Sequence, residues 1–380
     1  MYYDSLAAMK MRYERQKPCC RFQAETLLEY DQWKKSTRAK LRRLTGLNKM
    51  ELCGLNPRLI DTELLEGKSY TREKWVIQTE AHVWMPFYLL KPKEPGFKKN
   101  PVIIAPHGHG SGGKAAVAGV WNRPDIREAA LRQNYTYGTA MADQGFYVFC
   151  PDARGFGERR EAGRQGEEPE QYMGCSCREI SHMALGLGLT VTGLWVWDLM
   201  RLLDYIETRP DCDRDRIGCM GLSGGGMQTL WLSALDDRVS FAAVSGYFYG
   251  YKDSLLEMNT NCSCNYVPRL WEAVDMGDVG ALIAPRPFVI ESGTEDHLNG
   301  RRAMVNVLEQ VETVRKAYGL FHSEHAFVHD MFEGKHQWCG KKVYPFARQS
   351  LLAGLLAPES GMEIGGRPMK TCGNGDIILD

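Results

Sequence analysis

The segment Gly-Leu-Ser-Gly-Gly at residues 221–225 constrains the fold of this chain more than any other feature. The apolar run 217–220 precedes it, and a helical pattern from Met227 to Leu235 follows it. Because the chain has 39 glycines, the motif alone could be an ordinary turn, and the strand and helix around it carry the interpretation. Glycines permit a strained turn that holds a serine away from its own backbone. The pattern predicts a nucleophile elbow with Ser223 as the nucleophile.

A serine nucleophile needs a histidine base and a carboxylate that orients it, and in hydrolases with this elbow the acid lies between serine and histidine in the chain. Residues 287–290 predict a short buried strand that ends in a loop rich in carboxylates. We favour Asp296, three residues beyond Gly293, as the acid. Glu291 and Glu295 stay open as alternatives, and Asp296 could also be a turn former or a helix cap.

The general base is sought among four histidines near the end of the chain: His322, His325, His329 and His336. His336 is favoured because it lies in a polar loop after the apolar segment 326–328, which predicts the last strand of the sheet. A loop at that position can reach back over the elbow. His329 falls within or beside the strand, where a hydrogen-bonded core histidine is the simpler interpretation.

A glycine-rich loop after an earlier strand predicts the oxyanion hole. Residues 102–105 form a β-branched, strand-like run, and the loop 106–113 follows it. We expect the amides of Gly224 and His109 to stabilise the oxyanion. A phosphate-binding loop is a poor alternative because the Lys-Ser/Thr end of a P-loop is absent. His107 and His109 could also suggest a metal site, but no third ligand lies near them in the sequence, so we expect none.

The twelve cysteines are scattered and form no Cys-x-x-Cys pair. Two Cys-x-Cys pairs, Cys175/Cys177 and Cys262/Cys264, could in principle form a four-thiolate metal site. Structural zinc sites usually have a wider ligand spacing. We therefore interpret these residues as reduced thiols in loops, and we expect no metal and no cofactor.

The composition limits the classes of partner. With 380 residues, 44% of them hydrophobic and 25% charged, the chain predicts one large globular domain with additions. Its net charge of zero argues against nucleic acid or an anionic membrane as a partner. No run approaches the ~20 apolar residues of a membrane span, and the N-terminus lacks the pattern of a secretory signal. These features predict a cytoplasmic protein, and assembly into a homo-oligomer is left open.

The chain divides into three regions. Residues 1–70 predict an N-terminal helical extension, with Arg21 to Leu44 as its clearest helix and irregular chain after Gly46. Strands and helices alternate through residues 71–355, which predicts an α/β domain with a mostly parallel central sheet and helices on both faces. Residues 356–380 form a C-terminal tail. Ligands bind beyond the carboxyl ends of such strands, where all four proposed pieces of the site fall.

Two segments of the α/β domain predict parts of a substrate pocket. Residues 156–189 show no clear periodicity and could form a lid or pocket insertion, or a solvated excursion without a role. The region from Phe248 to Pro268, together with Tyr247, holds aromatic and amide side chains that suit sugar rings and hydroxyls, although they suit loop packing as well. These side chains are Tyr247, Tyr249, Tyr251, Asn259, Asn261 and Tyr266.

Further motifs link the chain to a known family: His-Gly-His-Gly at 107–110, Asp-Ala-Arg-Gly-Phe-Gly-Glu at 152–158, Trp-Asp-Leu-Met at 197–200, Ala-Pro-Arg-Pro at 284–287 and Gly-Lys-His-Gln-Trp at 334–338. With the elbow, they make the chain resemble the α/β-hydrolase superfamily and, within it, the acetyl xylan esterase-like, dienelactone hydrolase-related branch. The resemblance implies an α/β-hydrolase fold, a triad of Ser223, Asp296 and His336, and an oxyanion hole from Gly224 and the His109 region. The N-terminal extension lies outside the resemblance.

The resemblance also suggests an activity. Dienelactone hydrolases proper use a cysteine nucleophile, so the serine of this chain favours an esterase. We expect a serine carboxylesterase that hydrolyses small-molecule or saccharide esters through an acyl-enzyme, with acetyl esters of carbohydrates as the class that the resemblance suggests. A prolyl-oligopeptidase-like serine peptidase is one alternative, although no propeller is visible in the sequence. The other is a non-catalytic hydrolase fold that binds a partner through the N-terminal helices.

Overall fold

The computed structural model describes residues 3–94 and 96–353, and the predicted tail at 356–380 lies outside them. The described strands are β1 (Arg58–Glu63), β2 (Tyr70–Glu80), β3 (Val83–Pro92), β4 (Asn100–Ile104), β5 (Tyr147–Pro151), β6 (Cys212–Leu222), β7 (Phe241–Ser245), β8 (Phe288–Gly293) and β9 (Phe327–Phe332). The described α-helices are α1 (Leu6–Glu14), α2 (Leu27–Thr45), α3 (Lys114–Val117), α4 (Pro124–Gln133), α5 (Tyr137–Ala142), α6 (Pro169–Tyr172), α7 (Cys177–Gly186), α8 (Val191–Thr208), α9 (Gly224–Leu235), α10 (Met276–Ala281), α11 (Met304–Leu320) and α12 (Val343–Leu352).

The strands form a nine-stranded sheet in the order β1-β2-β3-β5-β4-β6-β7-β8-β9. The neighbours from β5 through β9 pair in parallel, whereas β1, β2, β3 and β5 pair antiparallel. Parallel strands point their carboxyl ends toward the same edge of a sheet. The segments that follow β4, β6, β8 and β9 therefore meet at one edge, and the predicted, mostly parallel sheet is confirmed.

The sheet separates two hydrophobic cores. Successive side chains of a strand point to opposite faces, so each central strand contributes to both cores. In β8, Phe288 and Ile290 pack into one core, and Val289 packs into the other. The first core is covered by α2 and by α7 through α11, and the second by α3, α4, α5 and α12. The predicted helices on both faces are thus confirmed.

The main helix of the N-terminal extension, α2, begins at Leu27 instead of Arg21. Thr26 defines this start through a capping box: its hydroxyl accepts a hydrogen bond from the Glu29 amide, and the Glu29 carboxylate accepts one from the Thr26 amide. Two of the amides that lack a partner inside the helix are satisfied in this way. The residues between Arg21 and Thr26 are therefore non-helical, although their composition is compatible with a helix.

The extension packs against the rest of the chain. The Tyr30 hydroxyl donates hydrogen bonds to the carbonyl oxygens of Ala281 and Ala284, each at 2.9 Å. The Arg38 guanidinium makes two hydrogen bonds with the Asp237 carboxylate, at 2.5 and 2.7 Å. The extension also supplies β1, which the sequence analysis expects to be irregular. Five of its six residues are exposed, so it carries no alternation of apolar and polar residues, and it forms by antiparallel pairing with β2.

The segment 156–189 is more regular than the sequence predicts. It contains the short helix α6 and the ten-residue helix α7. Cys177, Ile180 and Ala184 of α7 are buried in the first core at helical spacing. Glycines and charged residues on both sides of α7 hide this short pattern in the sequence.

Among the described residues, no single helix is long and apolar enough to cross a membrane, while α7 and α8, bent by 98° at their junction, pass that test as a pair on length and composition only.

Candidate active site

Ser223 lies on the turn between β6 and α9, as the sequence predicts. Its backbone has φ 59° and ψ −120°, a conformation that costs free energy for a residue with a side chain and persists only where the surroundings hold it. A Cβ on Gly221 would lie 2.5 Å from the carbonyl carbon of Gly225, and a Cβ on Gly225 would lie 2.2 Å from the carbonyl oxygen of Pro106. The glycines of the motif are therefore needed for the turn to close.

Asp296 and His336 are joined by a hydrogen bond. Nδ1 of His336 lies 2.7 Å from Oδ2 of Asp296, and because a carboxylate only accepts, the imidazole donates. The other oxygen, Oδ1, accepts a hydrogen bond from the Leu298 amide at 2.9 Å, which fixes the orientation of the carboxylate. Asp296 is 5% exposed. This arrangement leaves Nε2 of His336 free to act as an acceptor.

His336 turns back toward the elbow after β9. A Cβ on Gly246 would lie 3.0 Å from Cε1 of His336, and Gly246 has φ 58°. The imidazole therefore rests against a position that glycine occupies without strain. His336 and Ser223 line the same cavity, which has a volume of about 320 Å³. The chain brings the predicted nucleophile, base and acid to one edge of the sheet.

The two alternative carboxylates have other surroundings. Glu291 is buried, and its oxygens accept hydrogen bonds from the amides of Gly340 at 2.6 Å and Cys339 at 3.4 Å. Burial raises the pKa of Glu291 to about 7. Glu295 is exposed. Of the three candidates, Asp296 is the carboxylate that contacts His336.

The remaining histidines near the end of the chain lie elsewhere. His329 is within β9, and its Nε2 lies 3.2 Å from the Ser292 hydroxyl. His329 is partly buried, and this burial lowers its pKa to about 4, so the ring is neutral at neutral pH. His322 and His325 are exposed.

The loop after β4 approaches the elbow closely. A Cβ on Gly108 would lie 3.1 Å from the Cβ of Ser223, and a Cβ on Gly224 would lie 2.8 Å from Nδ1 of His109. His109 and Gly224 both line the cavity that holds Ser223. The Tyr135 hydroxyl donates to the carbonyl oxygen of His109 at 3.3 Å, which helps to hold the loop. The two predicted oxyanion residues thus lie beside Ser223.

His107 anchors this loop from inside the core. Its Nδ1 donates to the Gly108 carbonyl oxygen at 2.9 Å, and its Nε2 accepts from the Ala153 amide at 3.1 Å. Burial lowers the pKa of His107, which keeps the ring neutral and able to accept. The residue ties the loop after β4 to the end of β5.

The walls of the cavity come mainly from the segment after β7. The lining residues outside the predicted site are Gln133, Tyr247, Tyr249, Thr260, Asn261, Cys262, Asn265, His297 and Leu298. Tyr247, Tyr249 and Asn261 were expected there, whereas Tyr251, Asn259 and Tyr266 are not part of the lining. Gln133 and Asn265 are not among the predicted site residues, because an isolated amide side chain in a helix or loop forms no recognisable sequence motif. None of the described lining residues is Lys, Arg, Asp or Glu.

The predicted lid segment, 156–189, lines a different cavity of about 410 Å³, together with Trp84 and Arg154. It reaches the Ser223 site indirectly. The ring of Phe156 packs edge-on against that of His109, with centroids 5.1 Å apart. A role of this segment as a lid stays a prediction.

The two Cys-x-Cys pairs, distant in sequence, meet in the structure. Sγ of Cys175 lies 3.8 Å from Sγ of Cys262, and Sγ of Cys264 lies 3.4 Å from Nε2 of His109. Each of these four cysteines is a free thiol. The predicted position in loops is wrong for Cys177, which is the first residue of α7. The sequence predicts separate loops for the two pairs and no third ligand near His109. That second expectation is wrong, because the fold brings cysteines from both pairs to this histidine.

The sequence model of the Abhydrolase family matches residues 2–331 of this chain. The matched region includes the N-terminal helices, which the sequence analysis places outside the resemblance. It contains Ser223 and Asp296 and ends before His336.

Individual proteins are also similar to this chain in sequence or in structure. YtaP of Bacillus subtilis (strain 168), a hydrolase by name, is 26% identical over 292 residues, which are 74% of this chain and 88% of that protein. A Bacteroides fragilis NCTC 9343 protein named as an acetyl xylan esterase has a TM-score of 0.69 at 20% identity, with 87% of this chain and 83% of that chain covered. A glucuronoyl esterase from Solibacter usitatus has a TM-score of 0.58 at 17% identity, with 82% and 91% covered. These findings confirm the α/β-hydrolase fold.

Proposed function

Because the chain belongs to the Abhydrolase family, we propose that it is a serine carboxylesterase whose catalytic residues are Ser223, His336 and Asp296. The observation that carries the proposal is the 2.7 Å hydrogen bond between Asp296 and His336, with His336 and Ser223 in one cavity. A carboxylate on Nδ1 holds the imidazole in the tautomer whose Nε2 accepts the serine proton.

The reaction has two steps. Oγ of Ser223 attacks the ester carbonyl carbon while Nε2 of His336 takes the hydroxyl proton. The tetrahedral intermediate collapses, the bond to the alcohol breaks, and the alcohol leaves with the proton from His336. Water then attacks the acyl-enzyme with His336 as base, and the carboxylic acid is released.

The oxyanion of the intermediate needs donors that are already in position. The amide of Gly224 is the first amide of α9, so it has no partner within the helix and carries the positive end of the helix dipole. The amide of His109 is the second donor, on the loop that lies against the elbow. Removing one such donor typically costs about 10²–10³ in kcat.

The cavity favours an uncharged ester that carries hydroxyl groups. Its described lining contains no side chain of Lys, Arg, Asp or Glu that would pair with a formal charge on the substrate. Oε1 of Gln133 and Oδ1 of Asn265 are buried without a hydrogen-bond partner, and both residues line the cavity. Such oxygens accept hydrogen bonds from hydroxyl groups, and Tyr247 and Tyr249 offer ring faces beside them. An acetylated neutral sugar meets these requirements, in keeping with the names of the relatives.

The test compares wild-type protein with the Ser223→Ala variant on an aryl acetate and on an acetylated xylo-oligosaccharide. We expect both activities in the wild type and a loss of about 10⁴–10⁶ in kcat for the variant. Ser36→Ala is the matched control, because Ser36 is an exposed serine of α2 and does not line the cavity. Equal turnover by wild type and Ser223→Ala would end the proposal.

A third substrate separates the esterase from the alternatives. An aminoacyl-arylamide hydrolysed faster than the aryl acetate would favour a peptidase. A folded wild-type protein that fails to react with a fluorophosphonate at Ser223 would favour a binding protein.

A further inference from the structure

A cluster of five potential metal ligands lies beside the active-site cavity, outside the proposed triad. Cys177 is the first residue of α7, and Cys175 lies two residues before it. Cys264 lies in a short helical turn after β7, and Cys262 lies just before that turn. The fifth ligand is His109, from the loop after β4. Cys175 and Cys262 are 87 residues apart in the chain, and their sulfur atoms are 3.8 Å apart. Three separate segments therefore converge on one point.

Four of these residues have the spacing of a tetrahedral site. The ligand atoms of His109, Cys177, Cys262 and Cys264 all lie within 4.8 Å of one another. Bond lengths of about 2.0–2.3 Å to zinc imply distances of about 3.5–3.8 Å between the ligand atoms of a tetrahedron. The distance of 3.4 Å between His109 Nε2 and Cys264 Sγ is already close to that range. The remaining pairs need a contraction of about an ångström at most.

We propose that these four residues bind one Zn²⁺ ion in a tetrahedral, structural site. Thiolate sulfur and imidazole nitrogen are the ligands that zinc prefers, and a set of three cysteines and one histidine leaves no open position for substrate. The ion replaces the protons of the three thiols, which are released to solvent, and His109 binds through its neutral ring. Cys175 lies next to this set without belonging to it.

The surroundings of the four ligands are already fixed. The Thr192 hydroxyl donates to the carbonyl oxygen of Cys264 at 2.7 Å, and Nδ2 of Asn265 donates to the carbonyl oxygen of Cys262 at 3.1 Å. The ring of His109 contacts Phe156 edge-on. Such contacts hold metal ligands in orientation and lower the cost of assembling the site.

The zinc site would stabilise the proposed oxyanion hole. The His109 side chain is a metal ligand, and its backbone amide is the second oxyanion donor. The ion would fix this loop against the segments that carry Cys177 and Cys262, and Cys262 itself lines the cavity. This consequence rests on the proposed function, whereas zinc binding itself does not.

The experiment measures metal directly. The full chain is purified under reducing conditions, without chelator, from a zinc-supplemented culture, and zinc is quantified by mass spectrometry. We expect about one Zn²⁺ per chain. Replacement by Co²⁺ should give the visible absorption of tetrahedral cobalt and the ultraviolet bands of thiolate-to-metal charge transfer. The proposal would be overturned by a folded wild-type protein that contains no zinc. In such a protein the four thiols of the cluster, that of Cys175 included, would react freely with a thiol reagent, or Cys175 and Cys262 would form a disulfide.

Variants test the ligand set. The double variant Cys177→Ser/Cys264→Ser should lose zinc, and Cys175→Ser should keep it. The double variant Cys19→Ser/Cys53→Ser is the matched control, because both cysteines lie outside the cluster and neither is buried. Zinc retained by Cys177→Ser/Cys264→Ser, or lost from Cys175→Ser, would contradict the assigned ligands. If the first variant fails to fold, the cobalt spectrum of the wild type still decides.

Activity separates this inference from the proposed function. Ser223→Ala should bind as much zinc as the wild type, because Ser223 is not a ligand. An inactive protein that binds zinc would therefore refute the esterase and keep the metal site. An active esterase without zinc would refute the metal site and keep the esterase.

Discussion

The floor and the wall of the cavity that holds Ser223 are built in different ways. The floor consists of Ser223, Asp296 and His336, each within four residues of the end of a strand. The wall consists mainly of Gln133 and the segment 247–265, which contains no strand. The floor is assembled by the order of the sheet, because β6, β7, β8 and β9 are consecutive parallel neighbours. The wall is assembled by contacts between loops that the sheet does not specify.

The floor and the wall have different tasks. The groups of the floor are held by hydrogen bonds and by glycine contacts that leave little freedom, such as the approach of His336 to Gly246. The wall instead presents amide and aromatic groups, and Oε1 of Gln133 and Oδ1 of Asn265, two residues that line the cavity, have no partner in the protein. We infer that the floor sets the chemistry and that the wall selects the substrate. Variants in the two regions should therefore differ in kind as well as in size.

The largest effect is expected in the floor. Asp296→Asn should lower kcat by about 10⁴, because an amide at this position no longer holds the His336 tautomer that accepts the serine proton. Steady-state kinetics on an aryl acetate measure this. The control is Glu295→Gln, the exposed neighbour, which should leave kcat unchanged. A similar loss in both variants would mean that the loop, and not the contact between Asp296 and His336, is responsible.

The floor could be predicted from sequence because its signals are local. Ser223 follows an apolar strand and precedes a helix, and the acid and the base each follow a strand-like run. Once the strands are taken as parallel neighbours, the three side chains have to meet at one edge. The choice among Asp296, Glu291 and Glu295 depended on the direction of each side chain, which the loop conformation decides and the sequence only suggests.

The wall and the thiol cluster could not be predicted in the same way. Gln133 ends a helix that is separated from the elbow by a large part of the chain, and nothing in its neighbourhood marks it. The pairs Cys175/Cys177 and Cys262/Cys264 look like separate loops until the fold brings them to His109. The exposed strand β1 forms through a partner and not through its own pattern. Contacts between distant segments decide each of these features.

A second prediction concerns the other buried carboxylate next to the floor. Burial raises the pKa of Glu291 from 4.5 to about 7, so the folded state favours its protonated form. The stability that this proton contributes is fully present below about pH 4.5 and is lost as the pH rises through about 7. In Glu291→Gln, the free energy of unfolding should depend less on pH across this range, by on the order of 1–3 kcal/mol.

Urea denaturation of both proteins at several pH values across this range measures the difference. Glu295→Gln serves as the control again, because an exposed carboxylate at that position should not change the slope. The variant Glu291→Gln should keep most of its kcat at its pH of greatest stability, in contrast to Asp296→Asn. A collapse of kcat in a folded Glu291→Gln protein would move Glu291 from the structural to the catalytic carboxylates.

The smallest effect is expected in the wall. Gln133→Leu removes an acceptor oxygen that is buried and unpartnered, while the backbone contact between the Gln133 carbonyl oxygen and the Trp338 amide is retained. A hydrogen bond to a neutral group contributes about 1 kcal/mol, so KM for an acetylated xylo-oligosaccharide should rise about fivefold. KM for an aryl acetate, which has no hydroxyl group to donate, should not change. Arg132→Leu is the control, since its side chain is 62% exposed. If Gln133→Leu raises KM equally for both substrates, the wall does not select the substrate but only supports the floor. The proposed division of tasks between the two regions would then be wrong.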